Sequence, residues 1–392
     1  MITGELSAAV VAAAAAARAA GELTGPPVTG GAVLAGSWRP VPAAAGGGPG
    51  SYASTIPFLL ATRSAGDPGH IAAVLAARLP GVGAAAGIRR AAVTGRGYLS
   101  LTVSPEALGR LAVRISQAGP GCARSDALRG TTVIAPAGTP LTAAGSWDEA
   151  WAWLAAELAG RLAGAAGAEV RWTEQPAGRA SGLAAAPGLA AAPGLTAVPG
   201  LAAAPGLVAA AVAFAGPDAI RYALTRAVPS GAGPGRRIRA IDPRAAAAQH
   251  LGNPFYAVRY AHAHAASILR WSADLGLPAA DVAQFQPRLL AHPREQALLD
   301  AMSWLPERVA GAARRGQPHV LAGYLEELSG TYLDWQECCS LSQPGAFPPG
   351  PHQAAGTGQP LRQARLMLVS AARTVLGTGL GLLGVAAPDR AS

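Results

Sequence analysis

The sequence predicts a mainly α protein with a small α+β module at its N-terminal end, a helical bundle at its C-terminal end and a degenerate segment between them. Three observations carry this. Apolar stripes at helical spacing recur from about residue 211 onward, several of them opened by a proline, which the first turn of a helix tolerates. Near residue 95 two strand-like runs flank a glycine-rich turn. Between these regions lies a hexamer repeat with proline and glycine in every unit.

The first domain is expected over residues 1–125. Its Ala8–Ala20 run reads as a helix, Gly46–Gly50 as a loop, Tyr52–Arg63 and His70–Leu79 as helices, and Ala91–Val103 as a hairpin about Gly95 and Gly97. The middle, residues 126–181, offers a strand at Thr131–Ala135 and a helix at Trp147–Ala165, whose first turn carries Asp148 and Glu149 at its positive end. Residues 182–210 hold the repeat, GLAAAP-GLAAAP-GLTAVP-GLAAAP-GL from Gly182 to Leu207. Such a unit cannot continue a helix and buries little, so it reads as a flexible or polyproline-like linker. Residues 211–392 supply helices at Pro217–Ala227, Pro254–Asp274, Pro293–Arg315, Pro318–Ser340 and Leu361–Leu383, joined by loops short enough for a bundle.

Composition narrows the function. Of 392 residues 51% are hydrophobic, but alanine dominates, with 50 glycines, 33 prolines and 5% aromatics. All 31 basic residues are arginine, and the net charge is +9. Arginine forks onto phosphate and stacks on bases, so the charge is compatible with RNA or another polyanion as partner. Cys122, Cys338 and Cys339 form no disulfide framework and no zinc-type spacing, so no metal site is expected and a reduced, cytoplasmic setting fits. Glu5 precedes the alanine run and Arg18 interrupts it, unlike a signal peptide. No stretch reads as apolar enough to span a bilayer, and no membrane partner is expected.

The helix opening at Asn253 reads NPFYAVRYAHAHAASILR. Upstream lie GPDAIRYALTRAVP and IDPRAAAAQHLGNP, and downstream PHVLAGYLEELSGTY and ARLMLVSAARTVLGTGLGLLGVAAPDR. In this order and spacing they resemble the DALR-type anticodon-binding domain of arginyl-tRNA synthetases. SYASTIPFLLA, HIAAVLAARL and VTGRGYLSLTVS resemble the N-terminal domain appended to the same family. The resemblance covers roughly residues 50–125 and 212–390, and it implies a tRNA-handling bundle at one end and a module that touches the tRNA elbow at the other.

On the Asn253 helix, Tyr256, Arg259, Tyr260, Ala263 and Ser267 share one stripe, while Phe255, Val258, His262, Ala265 and Leu269 form the core-facing one. Tyrosines beside an arginine suit unpaired bases and phosphates. His262 is expected as a hydrogen-bonded core histidine. His262 and His264 stand two apart and cannot chelate one ion. The resemblance adds Tyr98, in the N-terminal turn, and His264, which stands where the family has arginine. The tRNA-binding set is therefore Tyr98, Tyr256, Arg259, Tyr260 and His264. Ala257, Arg259, Ser100 and the ending Ala387–Ala391 depart from the family pattern, which weakens anticodon specificity more than general tRNA binding.

The family's reaction needs ATP, a His-x-Gly-His turn and a lysine loop to hold the transferring phosphates. No histidine stands between His70 and His250, and the chain has no lysine. APAGTPLTAAG, from Ala135 to Gly145, resembles the family's Asn-Pro-Thr-Gly-Pro-Leu-His segment with its histidines gone. The stretch from Gly145 to Asn253 is too short for a doubly wound nucleotide domain. Trp147, Trp151, Trp153 and Trp172 read as a packed remnant. The expectation is a non-catalytic tRNA-binding relative that uses no cofactor and whose partner is tRNA or tRNA-like RNA, with a separate synthetase or translation protein as a further one. The alternatives are an arginine–tRNA ligase, which would require ATP, and a protein-interaction scaffold without RNA.

Overall fold

A computed structural model describes residues 2–26, 36–41, 46–64, 66–84, 86–138, 140–174, 206–230, 237–277, 282–339 and 359–390. The expected linker lies outside these residues except at its C-terminal end, from Gly206 onward. The chain divides into two compact units. Unit one comprises Met1–Cys122, Ser267–Glu307 and Thr331–Thr374; unit two comprises Ala123–Ala266, Arg308–Gly330 and Val375–Ser392.

Unit one begins with α1 (Ile2–Ala19), followed by β1 (Trp38–Pro40), β2 (Ser51–Ser54), α2 (Ile56–Ser64), α3 (Pro68–Val82), β3 (Ile88–Thr94), β4 (Tyr98–Val103) and α4 (Pro105–Ala118). The strands form one antiparallel sheet in the order β1-β2-β4-β3. Along β4, Leu99, Leu101 and Val103 are buried while Tyr98 is exposed, the period of two that packs one face of a sheet. The β3–β4 turn needs its glycines: Gly95 and Gly97 both have positive φ, and a Cβ on Gly97 would lie 2.9 Å from the Gly69 nitrogen.

Later residues complete the unit. In α10 (Pro293–Ser303), His292 and Glu295 form a reciprocal capping box, and the buried Glu295 accepts at 2.8 Å from Arg365 Nε. Tyr52 packs at 5.1 Å on Trp304 and donates at 3.0 Å to Ser303 Oγ. The Asp300 carboxylate accepts from Gly50 N at 2.9 Å, and burial raises its pKa.

Unit two holds a βαβ element: β5 (Thr132–Pro136), α5 (Trp147–Ala165) and β6 (Glu169–Thr173), the two strands pairing in parallel. The expected α5 bounds hold, with Ser146 as its cap. Then come α6 (Leu207–Ala215), α7 (Pro217–Arg226), the short α8 (Pro243–Ala247) and α9 (Pro254–Asp274), which belongs to this unit as far as Ala266. Glu157 of α5 is 1% exposed and takes two arginines: Arg161 at 2.8 Å, and Arg221 of α7, whose Nε also donates to the Leu383 carbonyl at 2.9 Å. Remaining helices are α11 (Leu305–Arg315), α12 (His319–Cys339) and α13 (Gln359–Leu382).

Three expectations need correction, and two elements were not anticipated. The stretch expected as a helix over Tyr52–Arg63 is strand to Ser54, because Tyr52 pairs with Leu101 and buries against Trp304; the helix starts only at Ile56, with Pro57 in its first turn. The helix expected over Pro293–Arg315 is two, broken at Trp304, because Pro306 lacks the N–H that would continue α10 and is tolerated only in a new first turn. The strand β6 and the amphipathic helix α4, capped by Ser104, went unforeseen. Lastly, α1 is long and apolar enough to cross a bilayer by length and composition. Eight of its 18 residues are nevertheless buried in unit one, and Trp38 Nε1 donates to Ser7 Oγ at 2.8 Å, so it packs here as a core helix.

Candidate nucleic-acid interface

The site grows from the start of α9. Asn253 ties down the chain before it: Nδ2 donates to the Ala246 and Ala248 carbonyls at 3.0 and 2.7 Å, while Oδ1 accepts from Phe255 N at 3.2 Å. From that fixed start the helical repeat sets Tyr256, Tyr260 and His264 four residues apart on one face. Tyr256 and Tyr260 stack at 5.9 Å and 21°, and Tyr260 meets His264 at 5.9 Å and 31°, so the three rings form one continuous ladder. Burial lowers the His264 pKa, keeping the ring neutral at pH 7 and suited to stacking rather than to pairing with phosphate.

Arg259 flanks the ladder. Its guanidinium lies 5.1 Å from the centre of the Phe255 ring, and its Nε is buried without a hydrogen-bond partner. Tyr256, Arg259 and Tyr260 line a cleft of about 100 Å³ with Gln249, Ala248 and Pro388. This is well below the roughly 300–1,000 Å³ of small-molecule pockets, a size suited to the edge of a base or a phosphate.

The opposite face holds the helix in place. Phe255, Val258, His262 and Ala265 are buried as expected, and His262 Nδ1 lies 3.0 Å from the Pro388 carbonyl. Gly377 makes room for that ring, since a Cβ there would sit 3.1 Å from Nε2. The C-terminal segment is also held by Ala386 N donating at 3.0 Å to Asp218 Oδ2. Ala263, expected on the outer stripe, is 1% exposed and belongs to the core; Leu269, expected in the core, is only half-buried.

Sequence reasoning thus placed Tyr256, Arg259, Tyr260 and His264 together, and the structure adds Gln249 and Pro388, brought in by the fold from either side of α9. Tyr98 lies in unit one, 43% exposed at the start of β4, with its ring edge-on to Phe58 at 5.0 Å. Arg89, Arg90 and Arg96 are exposed on the same hairpin, Arg96 in the turn beside Tyr98 and Arg90 opposite Thr102 at its other end, charges that the sequence reading passed over. Of the tryptophans, Trp147 is buried and Trp151 donates to the Ala227 carbonyl at 3.2 Å, whereas Trp172 is 47% exposed. His292, Cys338 and Cys339 place their ligand atoms within 4.8 Å of one another, in a set that sequence spacing conceals. Burial pushes the Cys339 thiol up to about 12, so at neutral pH it stays protonated beside His292 Nδ1.

Residues 258–390, which include Tyr260 and His264 of this ladder, match the family described as "DALR anticodon binding domain". Over about 45% of its length the chain is similar to arginine–tRNA ligases. It is 41% identical over 179 residues to an arginine–tRNA ligase of Frankia alni, covering 45% of this chain and 29% of that one. It is 37% identical over 175 residues to one of Clavibacter sepedonicus, covering 45% and 28%. The matched stretch therefore spans less than a third of these relatives. Among solved structures, Thermus thermophilus arginyl-tRNA synthetase is similar at 31% identity over 45% of this chain and 26% of that chain, with a TM-score of 0.33. A Campylobacter jejuni structure titled as a putative arginyl-tRNA synthetase is similar at 18% identity over 49% of this chain and 37% of that chain, also with a TM-score of 0.33.

Proposed function

We propose that this chain binds tRNA or a tRNA-like RNA without aminoacylating it. The observation that carries the proposal is the ladder of Tyr256, Tyr260 and His264 with Arg259 beside it, on an anticodon-binding domain. Flat rings in series offer stacking surfaces to unpaired bases, and the arginine beside them offers charge to the backbone between them. The exposed Tyr98, with Arg89, Arg90 and Arg96 on its hairpin, supplies a second RNA-facing surface. No cofactor is needed for this role, and its place is the cytoplasm, where a separate synthetase would supply the catalysis. The missing His-x-Gly-His turn and the absence of lysine support the non-catalytic part.

The test is filter binding of a tRNA pool against a random RNA of equal length across a salt series. Preferential tRNA binding that weakens steeply with salt is the expected result; equal affinity for both RNAs overturns the reading, and binding of neither favours a protein-interaction scaffold. A second reading, arginine–tRNA ligase, is favoured by the names of the relatives. Arginine-dependent exchange of pyrophosphate into ATP by the purified chain would establish it in place of the first.

A further inference from the structure

We propose that His292, Cys338 and Cys339 form a site for a soft divalent cation, with Zn2+ as the ion that fits. The three belong to unit one and come from separate parts of the sequence: His292 caps the start of α10, while the two cysteines end α12. Cys339 Sγ lies 3.0 Å from His292 Nδ1 and 3.7 Å from Cys338 Sγ.

The donor set and the spacing both point to zinc. Two thiols and one imidazole are the ligands that borderline-soft ions take, whereas Ca2+ and Mg2+ take oxygen. Zinc bonds of about 2.3 Å to sulfur and about 2.0–2.1 Å to nitrogen, at a tetrahedral angle, hold two sulfurs about 3.7 Å apart and a sulfur and nitrogen about 3.6 Å apart. The sulfur pair already has that separation. The His292–Cys339 pair must open by about half an ångström, and it is now closed by a hydrogen bond that the ion would replace.

Binding releases one proton from each thiol to solvent and forms two Zn–S bonds and one Zn–N bond. Cys338 gives up the hydrogen bond that its thiol makes to the Asp334 carbonyl at 3.2 Å. His292 Nδ1 also accepts from Arg294 N at 3.2 Å, so the ion competes with that cap. His292 is exposed and Cys338 half-buried, which leaves the fourth position to water. With Glu295 and Arg365 paired next to the site, the ion would clamp the start of α10 to the end of α12.

The test uses the full chain, stripped by a chelator under reducing conditions, desalted and titrated with Co2+ and then Zn2+. One Co2+ per chain with a thiolate-to-metal charge-transfer band is expected, together with displacement by Zn2+ and a higher melting temperature with the ion than without. Cys338→Ser and Cys339→Ser should each weaken binding by more than about 100-fold, beyond what outer-shell changes do. Cys122→Ser, at a buried cysteine outside the set, should leave it unchanged. Should a cysteine variant fail to fold, His292→Asn remains, because asparagine preserves the cap while removing the imidazole; it too should lose tight binding. Absence of the charge-transfer band, or a band that survives His292→Asn and Cys339→Ser, overturns the proposal.

Discussion

Tyr260 stands at the middle of the ladder, in contact with a ring on each side. Replacing it by alanine is expected to weaken tRNA binding by about 1–3 kcal/mol, roughly 5- to 150-fold in Kd, since a base loses its stacking surface. Tyr260→Phe keeps the ring and should change affinity far less; filter binding of both variants separates stacking from hydroxyl recognition. Arg259→Ala should flatten the dependence of log affinity on log salt by about one unit, the mark of one lost phosphate contact. His264 adds a pH effect. Burial depresses its folded pKa, so as pH falls below the ordinary histidine value near 6.5 the unfolded chain takes up a proton that the folded chain resists. Stability is therefore fully present above that pH and is lost on acidification. His319, half-buried and also depressed, adds to the same slope. Thermal melts at pH 7.5 and 5.5 should show a smaller drop in His264→Gln than in the parent.

At the scale of elements, a buried ion pair and a glycine decide how unit two is assembled. Arg221→Ala removes one of the arginines paired with the Glu157 carboxylate, 1% exposed, and should cost about 3–5 kcal/mol in denaturant unfolding. Gly160 lets α5 sit on its strands: a Cβ there would lie 2.4 Å from the Ala135 Cβ and 3.0 Å from the Trp172 ring. Gly160→Ala should destabilise by about 1–3 kcal/mol despite the better helix propensity of alanine, as overpacking does. These elements also show what was legible beforehand. The α5 and α9 bounds follow from a serine cap in one case and an Asn-Pro start in the other, both local signals. The stripe of Phe255, Val258 and His262 follows from the 3.6-residue period. Tyr52 could not be read that way, because its strand is selected by pairing with Leu101 and by packing on Trp304, partners far away in the chain. The same holds for Pro388 in the cleft and for Cys339 beside His292: only the fold supplies those neighbours.

For the whole molecule, a composition poor in aromatics and rich in alanine still gives two cores, because the few large side chains are concentrated. Trp38, Tyr52, Trp335 and Tyr332 are fully buried in unit one, and Tyr222 in unit two, where its hydroxyl reaches the Ala322 carbonyl at 3.3 Å. The C-terminal helical region was legible because its helix signature is contiguous in sequence; the middle was less so, because its short elements keep little pattern. The middle segment has a consequence of its own. Parallel strands are ordinarily found in larger sheets with both faces covered. Here β5 and β6 stand as a pair, without a third strand among the described residues, and Ile134, opposite Arg171 in the register, is 52% exposed. Such a pair offers open edges and a bare face for self-association, tempered only by Pro136 and the charges of Glu169 and Arg171. Light scattering of concentrated protein should therefore grow more slowly for Ile134→Lys than for the parent, with the melting temperature unchanged.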